Sequence, residues 1–392
     1  MGNPFEGLRP ALELITREAK VLPATGQAME DLMRPDHEEV IDQIRSADDE
    51  VLDVLLEAPN RQPYVQLQSL HRTQKHPLRY FLDGSARTFF LGDAVEGNRR
   101  TPIHVSQVGA VAVFRHDDGQ VRAAKSVHRI VLMMDKKAVS FGQQVEELVR
   151  KAGTRFSFHD TMEEDGETEK SSPGKEPRSR AAHKAHHIMA GEEERLGREL
   201  SREDGQWLVL DGNLGKDLHS WRNVPQFFGV TKSFSRRPTF KLPGPRGGQV
   251  VNLYELISAL PFSARTCAFS VRAGKVVIWY VRLREQRHLD YPLMGVVKVE
   301  FPNPTSEAVA SDLIDEVSSA LVAERQVTPH GKDSRWHAHL YAIYLAEQAC
   351  KAGFVSTEVL KAGIKWPTAG GMGPPSPPAP LPQAGEGSLA PY

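Results

Sequence analysis

The feature that most constrains the fold is a pair of apolar runs that each lead into an Asp-Gly dipeptide, RYFLDGSARTFF and WLVLDGNLGK. Asp-Gly is common in turns because glycine adopts positive φ at little cost. The other Asp-Gly pairs lie in a hairpin at Asp118 and in polar stretches at Asp165 and Asp204. Asp83 and Asp211 are instead expected at the ends of buried strands. Two strand-end carboxylates predict a site at the edge of a sheet.

The order of predicted elements indicates a mixed α/β domain. Strands are predicted at 79–95, 104–116 and 126–134, a helix at 181–203, and then the strand that ends at Asp211. Further strand pairs and two helices follow, the last in RWHAHLYAIYLAEQACKAG. We expect an N-terminal helical region at 1–75, with periodic apolar positions over 8–57, and a main domain at 76–356. A mobile acidic insertion at 160–180 and a disordered Pro-rich tail at 366–392 complete the prediction.

Composition favours a soluble globular protein in a reducing compartment. The chain has 392 residues, 40% of them hydrophobic and 25% charged, with a formal net charge of −1. Cys267 and Cys350 are its only cysteines, and no apolar run approaches the ~20 residues of a membrane span. The N-terminus also lacks the apolar core of a signal peptide. We therefore predict a cytoplasmic protein with no membrane partner.

Glutamates on the 181–203 helix are candidates to join the two aspartates. GEEERLGREL places Glu192, Glu193 and Glu194 between the two Asp-Gly motifs. Carboxylates from two strand ends and one helix are suitable ligands for hard divalent cations, and two such ions can hydrolyse phosphodiesters. The alternative is a solvated charged helix face, which such a run commonly forms.

A basic segment follows Asp211. No aspartate or glutamate occurs from Leu218 to Tyr254, and several aromatic residues are interleaved with the basic ones. Basic groups neutralise phosphates and rings stack on bases, so the segment predicts a single-strand nucleic-acid channel. A basic surface loop with core aromatics is the alternative. The candidate contacts are Arg222, Lys232, Arg236, Arg237 and Lys241.

Other catalytic motifs are missing from the sequence. It has no GxxxxGK[ST] phosphate loop, so ATP hydrolysis within this chain is not expected. The spacing of the histidines does not match a zinc site. His337 and His339, in RWHAH, are either structural or could ligate a metal or protonate a leaving oxygen.

Taken together, LDGSARTFF, the glutamate-bearing helix, LVLDGNLG, FFGVTKSF, IWYVRLRE and GVVKVEFP resemble the NurA nucleases over roughly residues 78–353. The resemblance implies an RNase H-like mixed sheet flanked by helices. By motif, Asp83 and Asp211 match the family's metal-binding aspartates, and Lys232 matches a lysine after the second motif. The helix glutamate falls on Glu192 or Glu193.

The resemblance also implies the activity and the partners. It predicts a metal-dependent deoxyribonuclease that uses Mn²⁺ or Mg²⁺, with two ions, and works on DNA with a HerA-like hexameric ATPase in end processing or phage defence. The family's Tyr-Pro and Ala-His signature is not intact. His339 and His337 are therefore its stand-ins, with Asp83, Asp211, Glu192 and His339 as expected metal ligands.

Two alternatives remain open. One is a catalytically weak DNA-binding adaptor of the translocase, and the other is an RNA-directed nuclease of the same fold, because a fold does not fix a substrate. A two-fold dimer capping the ATPase ring is the expected assembly. Residues 8–57 are a candidate docking or dimer surface, unless their apolar stripes pack on this chain's own sheet.

Overall fold

The computed structural model shows a mixed α/β protein built on one large sheet. It describes residues 2–24, 29, 51–52, 55–60, 62–70, 74–162, 177–214, 221, 224–234, 239–242, 249–271, 273–287, 290–328 and 335–367. Within these residues the sheet has 12 strands, with the bounds β1 Lys20–Pro23, β4 Tyr64–Gln66, β5 Leu78–Glu96, β6 Arg99–Arg115, β7 Val121–Met134, β8 Phe156–Asp160, β9 Trp207–Asp211, β10 Phe227–Thr231, β13 Ala264–Thr266, β14 Phe269–Val271, β15 Val276–Arg282 and β16 Val296–Pro302. Their order in the sheet is β4-β13-β15-β16-β10-β9-β5-β6-β7-β8, with β1 added to β5 and β14 to β15.

The remaining strands form two small sheets. β2 (Val51–Leu52), β11 (Thr239–Leu242) and β12 (Gln249–Asn252) make one, and β3 (Glu57–Ala58) pairs with β17 (Val309–Ala310). The α-helices are α1 Arg9–Glu18, α2 Gly142–Lys151, α3 Pro177–Arg198, α4 Leu253–Ser258, α5 Ser311–Val322, α6 Tyr341–Ala352 and α7 Thr357–Gly363. Short 3₁₀ helices lie at Glu6–Leu8, Lys136–Ala138 and Trp336–Ala338.

The centre of the sheet combines antiparallel and parallel pairing. Strands β5, β6 and β7 form an antiparallel meander, with Tyr80 opposite Phe114 and His104 opposite Met133. On the other side of β5, β9 runs parallel to it, and β10 runs parallel to β9. The parallel strands therefore end at the same edge, where their loops can place polar side chains together.

Helices cover the two faces of this centre. Residues of α3 such as Ala181, Ala185 and Ile188 pack against Val108 and Val131 of the meander. The opposite face carries α5 and α6, whose apolar side chains join a large core with strand residues of β5, β9, β15 and β16. The central strands are therefore buried on both faces, which explains why they read as nearly continuous apolar runs.

The N-terminal helix α1 packs on this chain's own sheet. Leu8, Leu12 and Ile15 are buried in one cluster with Phe89 and Leu91 of β5. This packing gives the apolar stripe of α1 an intramolecular partner. Of the predicted helical region 8–57, residues 25–28, 30–50 and 53–54 lie outside the described residues, and the segments Lys20–Pro23, Val51–Leu52 and Glu57–Ala58 are strands rather than helix.

Other predicted segments fall partly on residues that the structure describes. The acidic insertion begins at Asp160, the last residue of β8, and its positions 163–176 lie outside the described residues. Positions 177–180 already belong to α3. In the predicted tail, Trp366 donates a hydrogen bond to the carbonyl of Leu91 over 2.9 Å, while 368–392 lie outside the described residues. Among the helices that the structure describes, none has the length and apolar character needed to cross a membrane.

Candidate active site

The candidate site lies where β9 stops beside a strand that continues. The pairing of β9 with β5 ends at Leu210 opposite Leu82, and β1 joins the same side of β5 only from Gly92 onward. Among the described residues, no strand pairs with this side of β5 from Asp83 to Leu91. Crevices outside the carboxyl ends of parallel strands are the usual binding positions in open α/β sheets.

The two Asp-Gly motifs have different conformations. Asp211 is the last residue of β9, and Gly212 follows with φ +104°, so this motif ends a strand as predicted. Asp83 was also predicted to end a strand, but it lies inside the 19-residue β5, where its partner on β6 is Val111. The prediction was wrong because the antiparallel partner β6 supports the strand well beyond the point where β9 ends.

The glycine of the first motif makes room for a neighbouring carboxylate. A Cβ on Gly84 would lie 2.6 Å from Oε1 of Glu193 and 2.7 Å from Cγ of Met189. The Gly84 N–H donates to the Glu193 carboxylate, which lies on α3. Glycine at this position therefore allows the helix carboxylate to reach the strand beside Asp83.

Burial and repulsion hold Glu193 in its neutral form. Burial, followed by the negative charge of Asp211, raises the pKa of Glu193 from 4.5 to about 8, although the Gly84 hydrogen bond opposes the shift. The carboxyl group is consequently protonated in most molecules at pH 7 when no cation is present. This is the behaviour of acids that share one confined site.

Asp83 experiences the same environment. Its side chain is buried, and burial raises its pKa well above 3.8, with further increases from the charges of Asp211, Glu193 and Glu347. Lys232 opposes this rise. The carboxylates converge on a volume with too little positive charge to ionise all of them.

The positive charge nearest this group is Lys232. Its Nζ donates to Oδ2 of Asp211 over 2.7 Å. Burial alone would lower the pKa of Lys232, but the attraction of Asp211 and Asp83 outweighs it, and the net shift is upward. Lys232 is therefore charged and lies inside the carboxylate group, rather than in a separate channel.

Asp211 keeps one oxygen without a partner. Its Oδ1 is buried and accepts no hydrogen bond from any residue that the structure describes. A buried carboxylate oxygen without a donor is costly, and a cation or an ordered water would satisfy it. The arrangement at Asp211 is therefore one ammonium on one oxygen and an open acceptor on the other.

Two residues at this site were missed by the sequence analysis. Glu347 of α6 raises the pKa of Asp83, and Arg335, before the last 3₁₀ helix, lowers that of Lys232. Glu347 also forms an ion pair with Lys351 one turn later. The helical spacing of Ile343, Ala346 and Cys350, all buried, marks the sheet-facing side of α6 and could have drawn attention to Glu347.

Glu192 and Glu193 point in different directions, so the structure brings only Glu193 to the aspartates. Glu192 accepts hydrogen bonds from Nε of Arg129 and, over 2.9 Å, from Nε of Arg195. These partners lie on β7 and on α3 itself. Glu192 is thus a paired carboxylate beside the site, and its predicted role as a metal ligand is not supported by these contacts.

The two C-terminal histidines are placed by other contacts. Nδ1 of His337 accepts a hydrogen bond from the N–H of Gly295 over 3.0 Å, next to the start of β16. His339 is buried and its ring meets that of Tyr344 edge-on, with centroids 6.0 Å apart. A role for either histidine at the carboxylates stays a prediction.

Much of the predicted nucleic-acid channel lies outside the described residues. This applies to Arg222, Arg236 and Arg237, while Lys241 is described only by its backbone in β11. Trp221, one of the interleaved aromatics, is buried and stacks on Phe227 with centroids 4.8 Å apart. That ring belongs to the core, which agrees with the alternative interpretation of a basic surface loop whose aromatic residues lie in the core.

The donor set suits a hard divalent cation, but it is not arranged as a finished metal site. Asp83, Asp211, Glu193 and Glu347 offer oxygen ligands, which Mg²⁺ and Mn²⁺ prefer. Among the residues with a described position, no three His, Cys, Asp or Glu side chains are grouped to hold one ion. The fit rests on the open oxygen of Asp211 and on the excess of carboxylates over cations.

Comparison with known proteins gives no family for this chain. No protein-family model matches the sequence. A search of curated proteins likewise returned no match.

Proposed function

We propose that this protein is a metal-dependent deoxyribonuclease whose active site is formed by Asp83, Asp211 and Glu193. The observation that carries the proposal is the convergence of the buried Asp83 and the partly buried Asp211 and Glu193 near the ammonium of Lys232, with the pKa values of Asp83 and Glu193 both raised. Natural proteins rarely bury uncompensated acids without a functional reason, and groups with shifted pKa values concentrate at catalytic sites.

The chain's own groups would bind and orient the scissile phosphate. Asp211 and Asp83 lie on neighbouring strands, so the sheet fixes their carboxylates rigidly. Lys232 supplies a positive charge for a phosphate oxygen. The carboxyl group of Glu193, whose pKa is about 8 without a cation, would release its proton when a cation binds beside it.

A divalent cation, Mn²⁺ or Mg²⁺, would supply a water nucleophile of lowered pKa and neutralise charge on the phosphate. Asp211, through its open Oδ1, and Asp83 would hold it, with Glu193 as a third oxygen donor. Of the two helix glutamates predicted from the sequence, Glu192 and Glu193, we propose that Glu193 is the ligand.

The fold gives further support to an RNase H-like nuclease. An antiparallel meander, β5-β6-β7, is extended at β5 by the parallel strands β9 and β10. One aspartate lies on the first strand of this unit and the other at the end of β9, as the resemblance to the NurA family implies. We propose on the same ground that a HerA-like hexameric ATPase delivers DNA to a dimer of this chain.

A catalytically weak DNA-binding adaptor is the second candidate. The ion pair between Lys232 and Asp211 occupies one of the two carboxylate oxygens at 2.7 Å, and the described residues offer no preformed set of three ligands. If the lysine keeps this position, it competes with a cation. An adaptor would bind DNA without cleaving it.

The test compares cleavage by Asp83→Asn and Asp211→Asn with cleavage by wild type, on labelled DNA and RNA, with Mn²⁺, Mg²⁺ or a chelator. Metal catalysis contributes several kcal/mol, so each variant is expected to lose at least about 10²–10³-fold in rate. Asp93→Asn is the matched control, because Asp93 is a buried aspartate of β5 that pairs with Arg100 away from the site.

Wild-type rates in either site variant would refute the proposed nuclease. Binding without cleavage in the wild-type protein would support the adaptor. Cleavage of RNA in preference to DNA would redirect the proposal to an RNA-directed nuclease of the same fold.

A further inference from the structure

Two pairs of arginine and aromatic side chains lie beside the carboxylate site. The guanidinium of Arg284 lies over the ring of Trp336, with Cζ 5.0 Å from the ring centroid. Arg325 lies over the ring of Tyr341 in the same way, at 4.4 Å. Both distances are within the ~6 Å range of cation–π contacts. We call these four residues the arginine–aromatic group.

Backbone contacts hold the two pairs next to each other. The N–H of Tyr341 donates to the carbonyl of Arg325 over 2.8 Å. The side chain of Arg284 donates to the carbonyl of Val327, two residues further along the chain. Both pairs are therefore tied to the same three residues of backbone.

The first pair is connected to the carboxylates through two short contacts. Arg335, which precedes Trp336, donates to Oγ of Ser233 over 3.3 Å. Ser233 follows Lys232, whose Nζ donates to Oδ2 of Asp211 over 2.7 Å. Trp336 therefore lies at the border of the proposed active site.

Helix α6 connects the second pair to the same site. Tyr341 is the first residue of α6, and its ring stacks on that of Tyr344 with centroids 6.4 Å apart and planes 30° apart. Tyr344 and Glu347 are three residues apart, so they are neighbours on the helix surface. Glu347 is the α6 carboxylate whose charge acts on Asp83. The arginine–aromatic group thus adjoins the site on both the Asp211 side and the Asp83 side.

Among the residues that the structure describes, no acid neutralises the two arginines of this group. Burial alone lowers the pKa of Arg284, and its side chain donates its one hydrogen bond to a neutral carbonyl. Arg325 is exposed, and its described side-chain contact is the Tyr341 ring. By contrast, Arg79 lies 5.2 Å from the centroid of Phe114 but is paired with Asp117. The group therefore places two uncompensated positive charges beside its rings.

The two rings are also separate from the hydrophobic core. Trp336 and Tyr341 are each partly exposed, and neither belongs to a hydrophobic cluster of the described residues. Ala338 and Leu340, which lie between them in the sequence, are buried in one core cluster. Partly exposed rings beside positive charge are the combination with which proteins bind single-stranded nucleic acid.

Stacking of this kind requires a base whose face is free. In a duplex the neighbouring base pairs cover both faces of each base, whereas the bases of a single strand can be splayed out and stacked on rings or guanidinium planes. Arginines beside the rings neutralise phosphates of the same strand. The chemistry of the group therefore matches unpaired nucleotides rather than duplex.

We propose that the arginine–aromatic group binds unpaired bases of a nucleic-acid strand whose scissile phosphate lies at the carboxylates. The identity of the ligand rests on the proposed nuclease function, and the mode of binding rests on the contacts of the group. Trp336 and Tyr341 stack on bases, while Arg284 and Arg325 supply charge for phosphates. The enzyme would therefore act on single strands, or on duplexes that are opened before they reach the carboxylates.

The test measures binding without cleavage, in the presence of a chelator. The full chain is titrated into three fluorescent oligonucleotides of equal length: a single strand, a duplex, and a single strand of abasic nucleotides, which has the phosphates but no bases. We expect the wild type to bind the single strand about tenfold more tightly than the abasic strand, because stacking on one ring contributes about this factor.

The decisive variants are Trp336→Leu and Tyr341→Leu, with Trp336→Phe and Tyr341→Phe as matched controls that keep a ring. We expect each Leu variant to bind the single strand about tenfold more weakly than its Phe counterpart. Binding of the abasic strand should be the same in both, because that strand has no base to stack. A folding defect would weaken binding of all three ligands alike, so the ratio between ligands separates stacking from stability.

Arg325→Gln tests the contribution of charge. Loss of one phosphate contact should lower the slope of log affinity against log salt by about 0.7 for a single strand. Arg122→Gln is the control, because Arg122 is an exposed arginine of β7 that donates to the neutral side chain of Gln120. The control should leave the slope unchanged.

Equal binding of the single strand and the abasic strand by the wild type, or no binding of either, would overturn the proposal. So would Leu variants that lose both ligands to the same extent, because that result would make the rings structural. An unchanged slope in Arg325→Gln would overturn the phosphate contact. A wild type that prefers the single strand but cleaves neither DNA nor RNA would refute the nuclease and support the base-binding group.

Discussion

Two of the regions that bury acidic side chains balance negative charge in opposite ways. Beneath β13, Glu57 and Asp315 accept hydrogen bonds from one fully buried guanidinium, that of Arg265, at 2.6 Å in each case. The N–H of Ala268 donates to the other oxygen of Glu57 over 3.0 Å. In that region every oxygen of the buried Glu57 carboxylate is satisfied.

The site at the end of β9 leaves its acids unbalanced. Asp83 and Asp211 share one ammonium, that of Lys232, and the pKa values of Asp83 and Glu193 rise through burial and through the negative charge of Asp211. The comparison separates two reasons for burying charge. Where every charge is paired, the ion pairs stabilise the fold. Where carboxylates outnumber the positive charges, the region can bind a cation.

The largest expected effect is the difference in folding stability between two variants that each remove one carboxylate, one from each region. Glu57→Gln breaks a buried ion pair and leaves Arg265 with only the half-exposed Asp315, so we expect a loss of about 3–5 kcal/mol in the free energy of unfolding. Asp83→Asn removes a charge from a repulsive group and is expected to be neutral or stabilising.

Urea denaturation of both variants at pH 7 with a chelator measures this difference. Both substitutions exchange a carboxylate for an amide of similar volume, so each serves as the control for the other. A loss of several kcal/mol in Asp83→Asn would mean that Asp83 is a structural acid like Glu57.

The next largest expected effect is the stabilisation of the folded protein by a cation bound in the unbalanced region. A ligand present at 100 times its Kd stabilises the folded state by about 2.7 kcal/mol. We expect Mn²⁺ to raise the Tm of the wild type and of the destabilised Glu57→Gln variant alike. Asp211→Asn should lose this increment, because it removes charge at the open oxygen.

Scanning calorimetry with and without Mn²⁺ gives the increment directly. An increment that survives in Asp211→Asn but disappears in Glu57→Gln would place the cation in the other region. If Mn²⁺ does not raise the Tm of the wild-type protein, the proposal that a bound metal ion takes part in the function is wrong.

The position of the strand-end carboxylate could be predicted from the sequence, but the arrangement of the residues around it could not. The end of β9 at Asp211 was predicted correctly because an apolar run followed by Asp-Gly is a local signal for a strand that ends in a turn, and Gly212 has the positive φ that such a turn needs. Asp83 was misplaced at a strand end because pairing with β6, which is a long-range contact, keeps the strand straight through Asp-Gly. Local patterns could not distinguish a turn glycine from one that makes room for a carboxylate.

Side-chain direction limited the prediction of the site in the same way. Glu192 and Glu193 are adjacent on one helix, so only the packing of α3 on Gly84 and Arg129 decides which of them reaches the aspartates. The mixed α/β class followed from the order of elements. The contribution of Glu347 required the docking of α6 on β5, which no short motif encodes.

The smallest expected effect is the change in stability over a single pH unit, to which the unbalanced region contributes through Glu193. The pKa of Glu193 is raised to about 8 in the folded protein. A carboxyl with a raised folded pKa stabilises the protein at low pH, and that contribution is lost as pH rises from the unfolded value, about 4.3, through the folded value. The slope from this group is at most about 1.4 kcal/mol per pH unit.

Unfolding free energies between pH 5 and 8.5, with a chelator present, measure this slope. Glu193→Gln should make it shallower, because the amide does not titrate, although Asp83, whose pKa is also raised, still contributes. Glu192→Gln should keep the wild-type slope despite any loss of stability at Arg129 and Arg195. The two glutamates are neighbours on α3, so the pair of variants isolates the effect of pairing from that of position. A slope in Glu193→Gln as steep as that of the wild type would assign the titration to other acids and show that Glu193 is balanced in the folded protein.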